Sequence, residues 1–214
     1  MTPFDVILFD VGGVLLTNGW DHAERAAATE KFGLDRASFE ARHATVVDAW
    51  EKSEIALDAY LDAAVFNEPR PFSREDFFAF MIAQSKLLPN GALGILKELA
   101  ASNTGAAGNG AAGGCMVGCL NNEARETNDY RFATFGLRRY FKVAFSSCYV
   151  GLRKPHVPIY LRAIDILGVA PERILFIDDR QENVDGAVQA GMKGIRFEGE
   201  DALRGRLKEL GISF

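Results

Sequence analysis

The sequence contains few cysteines and few histidines, and neither type is grouped at short spacing. Three cysteines cannot all pair with one another, and alternation along a strand would place Cys115 and Cys119 on the same face. We therefore interpret all three as reduced thiols. The histidines are scattered at His22, His43 and His156, so we expect no structural zinc site, which needs clustered Cys or His ligands.

Long apolar runs and dense basic segments are also missing. No apolar run approaches the roughly 20 residues that span a membrane, so we expect no membrane segment. Residues 1–9 lack a basic flank and a cleavage site, so we predict no secretory signal and a cytoplasmic location. With a net charge of −5 and no run of lysine and arginine, binding to a nucleic acid backbone is not expected.

What the sequence does contain is a series of short, continuous apolar runs typical of strands buried on both faces. They lie at Val6–Phe9, Cys115–Leu120, Val143–Phe145, Ile174–Ile177 and Gly194–Phe197. Helical patterns lie between them, at Asn90–Ala100, Glu123–Phe135, Val157–Leu167 and Val184–Ala190. This alternation predicts an α/β fold with a doubly wound, Rossmann-like parallel sheet, whose ligands bind beyond the carboxyl ends of the strands.

The stretch between the first strand and the rest of the sheet reads almost entirely as helix. Gly33 is predicted to end one helix, and Asp35 and Ser73 to begin others. Because residues 18–88 are too long for a simple connection, we predict a helical cap inserted into a core formed by 1–17 and 89–214. Most of its aromatic residues are expected to pack, with one or two lining the cleft: Phe32, Phe39, Trp50, Tyr60, Phe66, Phe72, Phe77, Phe78 and Phe80.

Residues 102–114 form a low-complexity stretch of glycine, alanine and small polar residues. Such a segment cannot bury a core, so we predict a mobile linker. It has no lysine at the spacing of a phosphate-binding loop, and it precedes a strand where such a loop would follow one.

Three features of the predicted sheet edge point to chemistry when they are taken together. Asp10 ends one buried strand, and Asp178 and Asp179 end another. Carboxylates crowded at one edge repel each other unless a cation compensates them, and Mg²⁺ commonly takes one or two carboxylates with a substrate phosphate. The loop that carries Lys154 would bring a second cation to the same edge. Alternatively, Asp178 and Asp179 only cap the next helix, a reading that does not account for Asp10.

Four motifs that occur in this order resemble those of the haloacid dehalogenase superfamily, and together they extend over nearly the whole chain. The residues that carry the resemblance are Phe9-Asp10-Val11-Gly12-Gly13-Val14-Leu15, Leu120-Asn121-Asn122-Glu123, Arg153-Lys154-Pro155 and Phe176-Ile177-Asp178-Asp179-Arg180-Gln181-Glu182-Asn183. The helical insertion after the first motif also resembles the smaller cap type of that superfamily. The resemblance implies a hydrolase, most often a phosphatase.

The resemblance also implies a role for individual residues. Asp10 would be the nucleophile that forms an aspartyl-phosphate, and Lys154 would neutralise charge during the transfer. Mg²⁺ would be bound by Asp10, Asp179 and the backbone carbonyl of Gly12.

Other matched positions are implied to support the same centre. Asp178 and Asn183 would act close to the metal without binding it directly. Asn121 stands where the family usually has Ser or Thr to hold a phosphate oxygen, a bond that an amide NH₂ can also donate, and Asn122 is a second candidate phosphate ligand. Both asparagines could instead serve turn chemistry at the end of a strand.

The sequence departs from the family pattern at Gly12, where phosphatases carry a second aspartate that protonates the leaving group. Loss of a general acid costs about 10²- to 10⁴-fold in rate. We therefore expect a small phosphorylated metabolite whose leaving group needs little proton assistance, such as an anomeric sugar phosphate, an acyl phosphate or an aryl phosphate.

Two other functions are left open by the sequence. A 2-haloacid dehalogenase needs no general acid, but that branch has a non-acidic pair in place of Asp178 and Asp179. A weakly active or non-catalytic phosphate-binding protein would be consistent with Gly12 and Asn121.

Substrate specificity is expected in the cap. The polar residues considered first are Arg42, His43, Lys52, Arg70 and Arg74, although a surface salt bridge is the more ordinary role for each. The superfamily also contains homodimers, and the sequence does not decide between a monomer and a homodimer.

Overall fold

The computed structural model describes residues 3–102 and 115–212. Its centre is a parallel sheet of strands β1 (Val6–Phe9), β2 (Met116–Asn121), β3 (Val143–Ser146), β4 (Ile174–Asp178) and β5 (Lys193–Arg196). The strands lie in the order β3-β2-β1-β4-β5, so the first strand of the chain is central. All four residues of β1 are buried, as the continuous apolar run predicts. The predicted α/β class and parallel sheet are confirmed.

The register of β1 brings its carboxyl end level with those of both neighbours. Phe9 pairs with Cys119 of β2 and with Ile177 of β4. The residues that follow these pairs therefore emerge at the same edge of the sheet.

Helices cover both faces of the sheet. They are α5 (Leu93–Ser102), α6 (Arg125–Thr134), the short α7 (Ser147–Val150), α8 (Val157–Leu167), α9 (Gln181–Gln189) and α10 (Glu200–Glu209), after α1 to α4 of the insertion. One face packs Ile7 and Phe9 against α5 and α10, and the other packs Val6 and Leu8 against α8 and α9. Cys115 and Cys119 lie in the first of these clusters, on one face as predicted, and all three cysteines are buried.

Several predicted boundaries are wrong by a few residues. Helix α9 begins at Gln181, three residues before the predicted start at Val184. Its first turn is polar, so the apolar pattern did not mark it, and it carries Glu182, an acid that is favoured at a helix N-terminus. Helix α10 was not predicted because only Leu203 and Leu207 of its charged sequence are buried. The low-complexity stretch at 102–114 lies outside the described residues, apart from Ser102 at the end of α5.

Four helices lie between β1 and α5: α1 (His22–Phe32), α2 (Arg36–Glu51), α3 (Leu57–Ala64) and α4 (Arg74–Ala83). As predicted, Gly33 ends α1 in a left-handed conformation, and the side chains of Asp35 and Ser73 cap α2 and α4. The helices share a third hydrophobic cluster that contains all the aromatic residues expected to pack there. The chain leaves and returns at one place, where the backbone N–H of Thr17 donates to the carbonyl of Lys86 at 2.9 Å.

We refer to residues 18–88 as the insertion. Its status as a separate domain, with the boundaries given above, stays a prediction. Within the described residues, no helix is both long enough and apolar enough to cross a membrane. The cytoplasmic location stays a prediction from the sequence.

Candidate active site

Asp10 stands at the centre of the carboxyl edge of the sheet. It follows β1 directly, and its backbone N–H donates to the carbonyl of Ile177 in β4 at 2.8 Å. The residue is only 8% exposed, and its Oδ1 accepts a hydrogen bond from the backbone N–H of Val11 at 2.8 Å. The strand ladder therefore fixes both the position and the orientation of this carboxylate.

Lys154 brings a buried positive charge to the same place. Its Nζ lies 2.9 Å from Asp10 Oδ1 and 2.6 Å from Asp178 Oδ2, and the residue is 1% exposed. Asn122 holds the lysine backbone from both sides, since its Oδ1 accepts from Lys154 N–H at 2.8 Å and its Nδ2 donates to Lys154 O at 2.9 Å. The loop after β3 is thereby fastened to the end of β2.

Asp178 is fully buried, and protein donors occupy both of its carboxylate oxygens. Oδ1 accepts from the backbone N–H of Arg180 and from Asn183 Nδ2, each at 2.9 Å. Oδ2 accepts from Lys154 Nζ, with Asn183 Nδ2 at 3.1 Å. Asp178 therefore has little capacity to bind a ligand and instead orients Lys154.

Asp179 differs from its neighbour. Its Oδ1 is shielded from solvent and has no hydrogen-bond partner among residues 3–102 and 115–212. One oxygen from each of Asp10, Asp178 and Asp179 lies within 4.8 Å of the other two. The carboxylate packs against the backbone of Gly13, where an added Cβ would stand 2.2 Å from Asp179 Oδ2.

Burial and mutual repulsion set the protonation of this cluster. Burial first, and then the charge of Asp178, raise the pKa of Asp10, although Lys154 opposes the rise. Burial and Asp178 likewise raise the pKa of Asp179. Burial acts against the charge of Asp178 too, but Lys154 and the hydrogen bonds outweigh it, so the pKa of Asp178 is lowered. Three carboxylates thus share one fully buried ammonium group.

The residues present fit a hard divalent cation. The cluster offers only oxygen atoms, and one of them is buried without a donor from the part of the chain that the structure describes. The cluster also carries more negative than positive charge. Oxygen ligands and a surplus of negative charge are what Mg²⁺ requires, and in proteins it is commonly held by one or two carboxylates.

Asn121 is bonded to residues outside the carboxylate cluster, and it is not among the residues that line the cavity described below. Its side chain is 2% exposed, its Nδ2 donates to Asn128 Oδ1 at 3.1 Å, and its Oδ1 accepts from Ser146 Oγ at 2.8 Å. Alternation along β2 explains this, because Asn121 projects to the same face as Cys119, toward α6. Its role in binding phosphate stays a prediction.

A cavity of about 270 Å³ opens above Asp10. The sheet edge supplies one wall, which includes Asp10, Gly12, Asn122, Lys154 and Asn183. The insertion supplies another, which includes Trp20, Arg25, His43, Trp50 and Glu51. The core loop before α9 also contacts the insertion, because Arg180 Nη2 donates to Asp21 Oδ2 at 2.7 Å.

Only one of the five polar residues considered for specificity lies at this cavity. His43 is buried there, and its Nδ1 lies 2.9 Å from the hydroxyl of Tyr60, to which Trp20 Nε1 also donates at 2.9 Å. The other four interact elsewhere in the insertion: Arg42 with the carbonyl of Ala64, Lys52 with Asp48 and Glu54, Arg70 with Glu68, and Arg74 with Asp62.

Sequence reasoning missed most of the insertion wall. Trp50 was expected either to pack or to line the cleft, and it does both. It is 3% exposed, its ring centroid lies 4.0 Å from that of Tyr60, on which it stacks, and it also lines the cavity. Nothing in the sequence near Glu51 marks it as a cavity residue. It is the last residue of α2, and it reaches the cavity only because the end of α2 packs on α7 of the core.

The parallel α/β fold, with a lysine-bridged cluster of carboxylates at the carboxyl edge of its sheet, is typical of a class of α/β hydrolases. The model of the haloacid dehalogenase-like hydrolase family matches residues 4–191, and the chain belongs to that family.

Relatives of known name match part of the chain. It is 44% identical over 77 residues to flavin mononucleotide hydrolase 1, described as chloroplastic, from Arabidopsis thaliana, across 36% of this chain and 31% of that protein. It is 31% identical over 80 residues to the phosphoglycolate phosphatase of Nitrosococcus oceani, across 37% of this chain and 36% of that one. The matches thus cover about a third of each relative.

Solved structures resemble the whole fold. A haloacid dehalogenase family enzyme of Bacteroides thetaiotaomicron, an aspartate-to-alanine mutant in complex with magnesium and inorganic phosphate, has a TM-score of 0.73 at 19% identity, covering 92% of this chain and 95% of that one. L-2-haloacid dehalogenase of Xanthobacter autotrophicus, with chloropropionic acid covalently bound, has a TM-score of 0.61 at 18% identity, covering 99% and 85%. At these identities the likeness shows the fold alone.

Proposed function

We propose that this chain is a Mg²⁺-dependent phosphatase that transfers the phosphoryl group of a small phosphorylated metabolite to Asp10. The observation that carries the proposal is the cluster of three carboxylates near one buried ammonium group, with Asp179 Oδ1 left without a donor among residues 3–102 and 115–212. A second cation and an anionic substrate group would complete this arrangement of charges.

Each side chain at the site has a separate role in the phosphoryl transfer. Val11 N–H and Lys154 Nζ both bind Asp10 Oδ1, which leaves Oδ2 to attack phosphorus and form the aspartyl-phosphate. Two of the three N–H donors of the Lys154 ammonium group face Asp10 and Asp178, so the third can bind a phosphate oxygen. Asp178 and Asn183 hold the lysine in this position. Water then releases phosphate from Asp10.

Mg²⁺, held by Asp10, Asp179 and the backbone carbonyl of Gly12, would neutralise charge on the phosphoryl group during transfer. Asp179 is suited to this role because its free oxygen has no other ligand in the described part of the chain. The acidic pair Asp178 and Asp179 also favours a phosphatase over a 2-haloacid dehalogenase, since release of a halide needs no metal.

The size of the cavity limits the substrate. At about 270 Å³ it falls below the roughly 300–1,000 Å³ of pockets for drug-sized ligands, so a compact metabolite such as a sugar phosphate is favoured. Asn122 lines this cavity, and we keep it, with Asn121, as a candidate phosphate ligand. The names of the two partly matching relatives, a flavin mononucleotide hydrolase and a phosphoglycolate phosphatase, support a phosphate ester as the substrate.

The test is phosphate release from sugar, acyl and aryl phosphates, with and without Mg²⁺. We expect release to require Mg²⁺ and to fall by a factor on the order of 10⁴ or more in Asp10→Asn. Asp165→Asn is the matched control, because Asp165 is an exposed residue of α8 and should leave the rate unchanged. Release that survives in Asp10→Asn, or none from the wild type, would contradict the proposal, and chloride release from 2-chloropropionate would identify the dehalogenase instead.

Binding of the metal has its own test, which is independent of turnover. Mg²⁺ that binds only the folded protein should raise its melting temperature, and Asp179→Asn should remove most of this increase. An equal increase in the variant would exclude Asp179 as a ligand.

A further inference from the structure

Position 12, where related phosphatases carry the aspartate that protonates the leaving group, is glycine and has no side chain. The direction in which a side chain at Gly12 would point is already occupied: an added Cβ would stand 3.0 Å from Asn18 Oδ1 and 3.7 Å from Arg131 Nη1. If phosphate esters with poor leaving groups are substrates, the proton must come from another group at the cavity.

Most titratable side chains at the cavity, beyond the carboxylate cluster and Lys154, are already bonded or exposed. Glu123 has neither oxygen free, because Oε1 accepts from Thr127 Oγ1 at 2.8 Å and Oε2 pairs with Arg131. Burial, and then the charge of Arg25, lower the pKa of His43 to about 4, so it carries no proton to give at neutral pH. The others are Asp21, bonded to Arg180, His22, whose Nδ1 faces Arg25, and Glu182, which is exposed.

Glu51 differs from all of these. It ends α2 and is held on the core, because its backbone carbonyl accepts from Ser147 Oγ at 2.8 Å, and the same hydroxyl accepts from Glu123 N–H at 2.9 Å. Arg153, the residue before Lys154, lies with its Nη2 2.9 Å from Glu51 Oε2. These contacts place the carboxyl group of Glu51 at the same cavity as Asp10.

The Oε2 atom of Glu51 has an ion-pair contact with Arg153 but no aligned hydrogen-bond donor among the described residues. The side chain is 20% exposed, but Oε2 itself is shielded from solvent and accepts no hydrogen bond from the described residues, Arg153 Nη2 being close but not aligned to donate. Burial is the main cause that raises the pKa of Glu51 to about 7, and Glu123 and Asp48 add to the rise, while Arg153 and Arg180 oppose it. A carboxyl group with this pKa can exist in both protonation states near neutral pH.

We propose that Glu51, supplied by the insertion, is the general acid and base that replaces the missing aspartate at Gly12. This inference rests on the proposed phosphatase function. As Asp10 Oδ2 bonds to phosphorus, the bond from phosphorus to the leaving oxygen breaks, and that oxygen takes the proton of neutral Glu51. In the second step the Glu51 carboxylate takes a proton from the attacking water, whose oxygen bonds to phosphorus as the bond to Asp10 breaks. Substrates with poor leaving groups, such as alkyl phosphates, then enter the range of this enzyme.

The test compares Glu51→Gln with Glu54→Gln on two substrates. Glu54 is a matched control because it lies three residues away, is largely exposed and pairs with Lys52. We expect Glu51→Gln to lower kcat/KM for glycerol phosphate by about 10²- to 10⁴-fold, since its alkoxide must be protonated to leave. For p-nitrophenyl phosphate, whose leaving group needs no proton, kcat/KM should stay within about threefold of the wild type. Glu54→Gln should resemble the wild type on both.

Two further readouts separate proton transfer from a merely structural role. With p-nitrophenyl phosphate, Glu51→Gln should release a burst of one p-nitrophenol per active site and then turn over slowly, because glutamine cannot take the proton from water. In the wild type, kcat/KM for glycerol phosphate should fall as the pH rises through about 7, because Glu51 loses the proton that it must donate. Glu51→Gln should lack this part of the profile.

Equal losses on both substrates, or no loss on glycerol phosphate, would overturn the role of Glu51. If Glu51→Gln does not fold, rates for a series of substituted phenyl phosphates in the wild type decide the matter, since a steep dependence on leaving-group pKa would mean that no acid assists. Failure of the phosphatase proposal itself is distinguishable, because the wild type would then release no phosphate that depends on Asp10.

Discussion

The two walls of the cavity bond different parts of their polar residues. On the core wall, Asp178 and the backbone of Lys154 are bonded to neighbouring residues at 2.6–3.1 Å. On the insertion wall, Trp50 Nε1 and Glu51 Oε2 are both shielded from solvent and without a hydrogen-bond partner in the described parts of the chain. A buried polar atom without a partner costs about 1–3 kcal/mol, so such atoms are expected where a ligand supplies the missing bond.

We infer that the core wall carries out the reaction and that the insertion wall determines which substrate is bound. The core wall holds the reacting groups in one arrangement. In the described part of the chain, its buried side-chain atoms without a hydrogen-bond partner are Asp179 Oδ1 and the Nε atoms of Arg131 and Arg153. The insertion wall offers one donor and one acceptor to whatever part of the substrate lies beyond the phosphate. A hydroxyl-bearing leaving group could satisfy both, because it accepts from Trp50 and donates to Glu51.

The largest effect should come from the core wall, with Gly13→Ala. Gly13 has a φ of +68°, and an added Cβ would stand 2.2 Å from Asp179 Oδ2, so this carboxylate must move. We expect kcat/KM to fall by about 100-fold or more, because a displacement of about 1 Å can cost that much, and Mg²⁺ should stabilise the variant less. Gly168→Ala is the matched control, since Gly168 has a similar φ of +65° but an added Cβ would meet no atom within 4 Å. Similar activities in the two variants would show that the core wall is more tolerant than its bonding suggests.

A smaller effect, on stability, should come from His43 in the insertion. Its pKa of about 4 lies below the ordinary 6.5, so the unfolded chain takes up a proton first as the pH falls. The contribution of this residue to folding is therefore complete above pH 6.5 and is lost as the pH falls toward 4, by up to about 3 kcal/mol. Urea unfolding at several pH values should show this loss in the wild type and in the exposed control His156→Gln, but not in His43→Gln. The same loss in all three would assign it to other groups.

The smallest effect compares the two tryptophans of the insertion wall. Trp20 Nε1 already donates to Tyr60, whereas Trp50 Nε1 has no partner in the described residues. We expect Trp50→Phe to raise KM for a hydroxyl-bearing substrate about fivefold, the value of one hydrogen bond, with kcat within about twofold. Trp20→Phe should lower stability and change KM less. If Trp20→Phe raised KM as much, the free donor of Trp50 would not distinguish the two residues.

The residues of the core wall could be predicted from the sequence, whereas most of those of the insertion wall could not. Asp10, Asp178, Asp179 and Lys154 could be proposed as a group because each follows a buried strand or the loop after one, and parallel strands bring such residues to one edge. The α/β fold could be predicted for the same reason, since the strands are continuous apolar runs. Their roles as nucleophile, metal ligands and supporting residues are still proposals.

The insertion wall could not be predicted in this way. Trp50 and Glu51 sit next to each other at the end of α2, and their place at the cavity depends on the Ser147 hydroxyl and on Arg153, which are distant in sequence. No local pattern encodes that packing. For Asn121, by contrast, the position at a strand end could be predicted. What the prediction left out is the face of the strand on which its side chain projects, where it bonds to Asn128 and Ser146.

The pairing of Phe9 with Ile177 has a consequence for how this protein can vary. In a strand, a slip of one residue turns every side chain to the opposite face. Such a slip of β1 would displace Ile7 and Phe9 from their hydrophobic cluster and would also turn Asp10 away from Lys154. A strand pairing that is wrong for the core is therefore also wrong for the nucleophile, so selection for a stable sheet also preserves the position of Asp10.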